Sequence, residues 1–90
     1  MAPKHMFSVY DSKATAYCVP FASVNLSTAL RDFAFAANDP SSEINRHPLD
    51  YSLFQIGLFD DETGVLTPQT PLNLGMAAQF INKTEVTQDA

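Results

Sequence analysis

The residues of this chain that could take part in chemistry are few and lie far apart in the sequence. Three carboxylates, Asp60, Asp61 and Glu62, are consecutive, whereas a metal site needs oxygen ligands arranged around one centre. The single cysteine, Cys18, has neither histidine at a telling spacing, so we interpret it as a small buried hydrophobic residue. We therefore predict a protein with no catalytic residue, no metal site and no cofactor, which is not an enzyme.

The charge of the chain limits what it can bind. Ten acidic residues face five basic ones, which gives a formal net charge of −5 at pH 7. Non-specific phosphate binding depends on Lys and Arg side chains that displace counterions, and the basic residues here are spread along the sequence. The charge therefore disfavours a nucleic-acid coat and is compatible with a basic protein partner.

The candidate contacts with a partner or a phosphate are the basic side chains Lys13, Arg31 and Arg46, together with His47. Lys13 lies in a polar turn after the first predicted strand, where an ammonium group could reach a phosphate or an acidic partner. His47 follows Arg46, and the pair would form a small cationic patch once the imidazole is protonated. The alternative for each is an ordinary solvated side chain or, for His47, a hydrogen bond to the backbone.

A second candidate surface is aromatic, and it could form a dimer interface or stack against bases on an open sheet. Its members are Phe7, Tyr10, Phe35, Phe54 and Phe59, and Tyr17 and Phe21 are further stacking candidates. The alternative is that most of these rings lie in the core, as a small sheet requires. A sheet face that no helix covers would need a partner, and a two-fold dimer is the commonest arrangement. We therefore expect a homo-oligomer, most simply a dimer.

The first half of the chain predicts two extended segments and a helix. Residues 6–10 are rich in strand-forming side chains, and residues 14–19 can continue as an edge strand or a loop before Pro20. A helix capped by Asn25 or Ser27 should follow. It should run to about residue 37, with Asn38 as a left-handed C-cap and Phe35 off the buried face. Helical spacing places on that face Leu26, Ala29, Leu30, Phe33 and Ala37.

The second half predicts a β-hairpin. Residues 41–46 suit one short helical turn, residues 51–59 a strand, and residues 65–67 the returning strand. Gly64 should take a positive φ in the turn between the two strands. Both faces of residues 51–59 are largely apolar, so this strand should be central or covered on both sides.

The C-terminal part predicts a loop and a short helix. Pro68 and Pro71 should stiffen the loop, and Asn73 should cap a helix over residues 74–81. The predicted fold is therefore one α+β domain with a small antiparallel or mixed sheet, ordered β-α-β-β, and one main helix packed on it.

The domain should span residues 6–81, between a flexible N-terminus at 1–5 and a disordered tail at 82–90. No apolar run approaches the roughly 20 residues that span a bilayer, and the N-terminus lacks a hydrophobic signal core. We expect a protein that is soluble, not exported and not bound to a membrane.

Several segments also occur in a familiar order and spacing. They are FSVYDSKA at 7–14, DFAFAANDP at 32–40, HPLDYSLFQIGLFDDETG at 47–64 and LNLGMAAQF at 72–80. Together they resemble the small nonstructural protein of gokushoviruses, which are single-stranded DNA bacteriophages of the Microviridae. The resemblance runs from about Phe7 to Phe80.

The resemblance implies a viral protein in the cytoplasm of the infected bacterium that is not a virion component. Gokushovirus proteins of this kind are often equated with microvirus protein C, which acts with the replication initiator and the empty procapsid. That protein converts double-stranded genome amplification into single-stranded synthesis coupled to packaging. Family members are also sometimes labelled DNA-binding.

The expected function is a non-enzymatic accessory role in single-stranded genome synthesis and DNA packaging, through contacts with the replication complex or procapsid. The first alternative is a single-stranded DNA-binding homodimer that meets phosphates through Lys13, Arg31 and Arg46. The second is a regulator that binds a host protein through the hairpin edge.

Overall fold

The computed structural model describes residues 3–82. Five strands, two α-helices and one 3₁₀-helix make up this part of the chain. In chain order they are β1 (Lys4–Asp11), β2 (Ala16–Tyr17), β3 (Phe21–Ser23), α1 (Leu26–Asn38), α2 (Glu43–Arg46), β4 (Tyr51–Phe59), β5 (Leu66–Met76) and the 3₁₀-helix (Ala77–Phe80).

The strands form one antiparallel sheet, which confirms the predicted α+β class. The order is β2-β1-β4-β5, and β3 pairs with β1 beside β2. Strand β4 therefore has a neighbour on each side, which confirms the prediction that this strand is central. The chain passes from β3 through α1 and α2 to β4, so this connection crosses over β1.

A close approach between β4 and β5 requires a glycine. Gly57 is buried opposite Pro68, and a Cβ atom at this position would collide with the carbonyl oxygen of Thr67. The pairing of β1 with β4 also shifts here, between Met6 and Phe7. This irregularity changes which side chains of the two strands lie on each face.

Helix α1 begins where the sequence predicts. The side chain of Asn25 accepts a hydrogen bond of 2.8 Å from the backbone N–H of Thr28, so Asn25 rather than Ser27 is the N-cap. Ala29, Phe33 and Ala37 are buried as expected. Leu26, in the first turn of α1, is an exception at 39% exposure.

The end of α1 differs from the prediction. The C-cap is Asp39 in an extended conformation, and within residues 3–82 Thr15 is the only non-glycine residue with positive φ. The Asn38 side chain instead links the helix to the C-terminal segment. It donates to the carbonyl oxygens of Ala34 and Phe80, at 2.8 and 2.9 Å, and accepts from the N–H of Asn82 at 2.7 Å.

The core lies between α1 and one face of the sheet. Its fully buried apolar residues are Phe7, Ala29, Phe33, Ala37, Leu53 and Ala77. Phe80 of the 3₁₀-helix closes one end of this core by an edge-to-face contact with Phe33, with ring centroids 5.6 Å apart. Six residues make a small core, and three of them are alanines.

The longest departure from prediction is β5. It covers eleven residues instead of three, and it includes Pro68 and Pro71. An edge strand tolerates proline because only one of its sides pairs with the sheet, and Pro71 falls where the pairing with β4 is interrupted. The predicted helix over 74–81 therefore shrinks to the 3₁₀-helix, and Asn73 bonds the N–H of Gly75 instead of capping it.

The start of β1 also lies earlier than predicted. Lys4 and His5 belong to β1, within the segment that the sequence predicts to be flexible. The predicted tail lies outside the described residues except for Asn82. In residues 3–82, none of the helices has the length and apolar character needed to cross a membrane.

The helix cap can be tested with a matched pair of variants. Asn25→Ala should reduce the free energy of unfolding by about 1 kcal/mol, because the N–H of Thr28 loses its acceptor. Ser27→Ala, which removes the rejected cap candidate, should change it by less than about 0.5 kcal/mol. Urea unfolding followed by circular dichroism measures both, and an equal loss in the two variants would contradict the assigned cap.

Candidate functional site

The sheet face that α1 does not cover offers a surface for binding. Residues opposite each other on paired strands lie on the same face, so Val9 and Leu53 face the helix while Ser8 and Phe54 face away from it. We call this second side the open face. It includes Met6, Ser8, Tyr10, Tyr17, Phe54, Ile56 and parts of β5.

Three aromatic rings cluster at one end of the open face. The ring centroids of Tyr10 and Tyr17 are 4.8 Å apart, those of Tyr17 and Phe54 are 5.5 Å apart, and those of Tyr10 and Phe54 are 6.1 Å apart. Both contacts of Phe54 are edge-to-face, the geometry that aromatic pairs favour. Tyr17 remains 46% exposed, so this aromatic cluster is accessible to solvent.

A groove lies at the other end of the open face. It has a volume of about 360 Å³ and is lined by Met6, Pro20, Ile56, Gly57, Leu66, Thr67 and Pro68. A second depression of about 280 Å³ continues it towards the aromatic cluster, and the two share Pro20 and Ile56. No charged side chain lines either depression.

A buried serine holds the outer edge of this face in place. The Ser8 hydroxyl donates a hydrogen bond of 2.7 Å to the carbonyl oxygen of Cys18, and the Cys18 N–H donates to the carbonyl oxygen of Val9. These bonds fix the break between β2 and β3. The prediction that Cys18 is buried is wrong: the thiol is exposed, because the residue lies at the sheet edge where no further element covers it.

The five aromatic candidates lie in three different places: the open face, the core and the exposed side of α1. Tyr10 and Phe54 meet on the open face, and Phe59 is half-buried near its end, opposite Lys4. Phe7 does not belong to any accessible surface, because it is fully buried in the core and stacks on Phe21. Phe35 is 74% exposed on α1 and lies apart from the open face.

Sequence reasoning includes Tyr17 among the rings that could stack, and the pairing of Tyr17 with Tyr10 places it on the open face. It does not predict the groove. Leu66 lies in the predicted returning strand, but Pro68 lines the groove because β5 continues through a segment predicted to be a loop.

The four basic candidates do not form one patch. Lys13 is exposed in the β1–β2 turn, and Arg31 is exposed on α1. Arg46 is engaged in an ion pair of 2.7 Å with Glu43, and the His47 imidazole lies 3.9 Å from the same carboxylate. Lys13 alone adjoins the aromatic cluster, through the hairpin that carries Tyr10 and Tyr17.

Negative charge is concentrated at the β4–β5 turn. The Asp60 carboxylate accepts a backbone hydrogen bond from Glu62 and shapes the turn, while Asp61 pairs with Lys4 at 2.8 Å. The hydrogen bond and the charge of the Lys4 ammonium lower the pKa of the Asp61 carboxyl. Within residues 3–82, no group of His, Cys, Asp or Glu side chains is arranged to hold a metal ion.

Carboxylates also lie at the opposite end of the sheet. Asp11 ends β1 opposite Tyr51. Partial burial, followed by the charges of Asp11 and Glu43, raises the pKa of the Tyr51 phenol. Carboxylates therefore lie at both ends of the sheet, while the depressions on the open face between them are lined by uncharged side chains.

The edges of the sheet are poor templates for another strand. Pro68 and Pro71 in β5 lack the N–H groups that a ladder needs. The other edge is interrupted between β2 and β3, where Pro20 lies. This counts against a regulator that captures a host protein through the hairpin edge.

Comparison with known proteins identifies the family. Residues 4–80 match the family model described as "Phage ORF5 protein". The chain belongs to this family. The matched range contains every strand and helix from β1 to the 3₁₀-helix, and membership indicates a bacteriophage protein, in agreement with the sequence resemblance at that level. No curated protein and no solved structure matches the chain.

The role of Ser8 in shaping the open face can be tested by two serine variants. Ser8→Ala should lower the free energy of unfolding by about 1–2 kcal/mol, because the carbonyl oxygen of Cys18 loses a donor beside a buried position. Ser52→Ala, on the same face but without a hydroxyl partner among residues 3–82, should change it by less than about 0.5 kcal/mol. Urea unfolding compares the two, and equal effects would show that the Ser8 bond does not matter.

Proposed function

We propose that this phage protein is a non-enzymatic accessory factor of a gokushovirus, the counterpart of microvirus protein C. It acts in single-stranded genome synthesis and DNA packaging by contacting the replication complex or the procapsid. It works in the cytoplasm of the infected bacterium without becoming a virion component. The family supports the viral setting, and the resemblance of HPLDYSLFQIGLFDDETG supports the narrower assignment.

The observation that carries the proposal is the distribution of charge. Residues 3–82 contain eight carboxylates and four Lys or Arg side chains. Two of those cations, Lys4 and Arg46, are already paired with carboxylates. A surface of this kind attracts basic proteins and repels phosphates.

Proteins that handle DNA carry basic surfaces, so viral replication and packaging proteins are the natural partners of an acidic accessory factor. Complementary charge would raise the rate of encounter and make the binding sensitive to salt. The exposed acids in the β4–β5 turn, which protrude from the end of the sheet, would meet such a partner first.

This function predicts salt-dependent binding of the purified chain to procapsids or to the replication initiator. Glu62→Lys should weaken that binding about fivefold at low salt, because it reverses an exposed charge facing a basic surface. Lys13→Glu, which makes the chain more acidic, should not weaken it. Biolayer interferometry over a range of salt concentrations measures all three proteins.

A phage lacking the gene provides the second half of this test. The proposal expects a lower ratio of single-stranded to double-stranded viral DNA in infected cells. It is wrong if the wild-type chain binds neither procapsid nor initiator and the deletion leaves single-strand yield unchanged.

A specific observation also favours a second function, the binding of single-stranded DNA by a homodimer. The aromatic cluster could stack bases, and Lys13 adjoins it on the β1–β2 hairpin. Arg31 and Arg46 lie on helices, so few cations would meet the phosphates.

DNA binding is tested by fluorescence anisotropy with a labelled oligonucleotide at low salt. If this function holds, the affinity should fall steeply with salt, and Tyr17→Ala should weaken binding by about 1–3 kcal/mol through loss of stacking. Phe35→Ala serves as the control, because that exposed ring lies outside the aromatic cluster. The absence of any anisotropy change with the wild-type chain would eliminate this function.

A further inference from the structure

We propose that a second copy of this chain covers the open face, in a two-fold dimer. The aromatic cluster of each copy (Tyr10, Tyr17 and Phe54) packs into the groove of the other. The inference concerns assembly and does not rest on the proposed function. It follows from the charge, the dimensions and the shape of the open face.

The uncharged lining of the open face favours a second copy of this chain over a basic protein as its partner. The two depressions on the open face are lined only by uncharged side chains, while the carboxylates lie at the ends of the sheet and on the helices. A basic protein would leave its charges unpaired against this apolar surface, which is unfavourable. The same two depressions on an identical face carry no charge to bury, so two copies can meet here despite their shared negative charge.

The area of the open face is large enough to be covered by the sheet of a second copy. Strand β4 has nine residues, so the face is about 30 Å long and, with four strand positions, about 19 Å wide. Its flat area is therefore about 600 Å² before side-chain relief is counted, against the roughly 800 Å² of accessible surface that each partner of a stable complex buries. A peptide or one turn of helix would leave much of the face exposed, whereas a second sheet covers all of it.

The shape of the face is self-complementary. The groove of about 360 Å³ is larger than the cavity of about 150 Å³ that accommodates a benzene ring. The groove lies near Met6 and the aromatic cluster near Tyr10, four residues further along β1, a separation of about 14 Å. A two-fold axis between them, close to Ser8, places each aromatic cluster over the partner's groove, and the contact is made twice.

The small core explains why dimerisation would stabilise this chain. Within residues 3–82, only six apolar residues are buried, all on the helix side of the sheet. Domains of this size are marginally stable on their own. Two facing sheets about 10 Å apart would interdigitate their side chains and form a second, shared core, while α1 and the β4–β5 turn of each copy stay accessible.

The first experiment measures the mass of the full-length chain by analytical ultracentrifugation at micromolar concentrations. The wild-type chain should sediment with twice the 9.9 kDa chain mass. Tyr17→Glu and Leu66→Arg should each weaken dimerisation at least about a hundredfold, because each buries an unpaired charge at two symmetric places. Phe35→Glu, the same kind of change on the exposed side of α1, should remain dimeric.

Mixing the two defective variants tests the reciprocal contact. In a mixed dimer, the carboxylate introduced by Tyr17→Glu faces the guanidinium introduced by Leu66→Arg, and the other contact is wild type. Equal amounts should therefore restore a dimer of mixed composition, which native mass spectrometry identifies because the two chains differ in mass. Circular dichroism of each variant verifies that the monomers are folded.

Several results would overturn the proposal. A wild-type chain that stays monomeric leaves the face to a different occupant, such as an oligonucleotide or another protein. A dimer that survives Tyr17→Glu but is lost with Phe35→Glu would place the interface on α1. If both defective variants are folded monomers and their mixture also stays monomeric, the two contact regions do not meet in the proposed way.

Discussion

The packing of α1 onto one face of the sheet is the contact on which the rest of the structure depends. Phe7 and Leu53 become buried only because Ala29, Phe33 and Ala37 lie over them. The small alanine side chains let the helix approach the sheet closely. A single helix of 13 residues covers one face and no more, so the same contact that creates the core also leaves the opposite face apolar and uncovered.

Apolar runs and capping residues in the sequence are sufficient to predict the central strand and the start of the main helix. The apolar character of Tyr51–Phe59 predicts β4, and Asn25 is one of two predicted caps for α1. The continuation of β5, which depends on its pairing with β4, is not predicted. Pro68 and Pro71 argued for a loop, yet the neighbouring β4 holds them in an edge strand.

In the candidate site, too, the sequence identifies residues but not the long-range pairing that places them. The sequence contained the aromatic residues, but only the strand register reveals that Tyr10 and Phe54 share a face with Tyr17 while Phe7 is on the other. The register shift beside Gly57 could not be read from the sequence. The two surfaces that result differ in chemistry, because carboxylates lie at the sheet ends whereas the depressions between them have an uncharged lining, which suits separate partners.

The position of β1 inside the sheet has a consequence for how the protein is made. Its pairing with β2 and β3 is local, but its second edge pairs with β4, whose residues come roughly 40 to 55 positions later in the chain. At the usual pace of about 5–20 residues per second, that edge stays unpaired for several seconds of synthesis. The nascent chain therefore carries an open strand edge on the ribosome, and the completion of β4, rather than the helix before it, ends that vulnerable period.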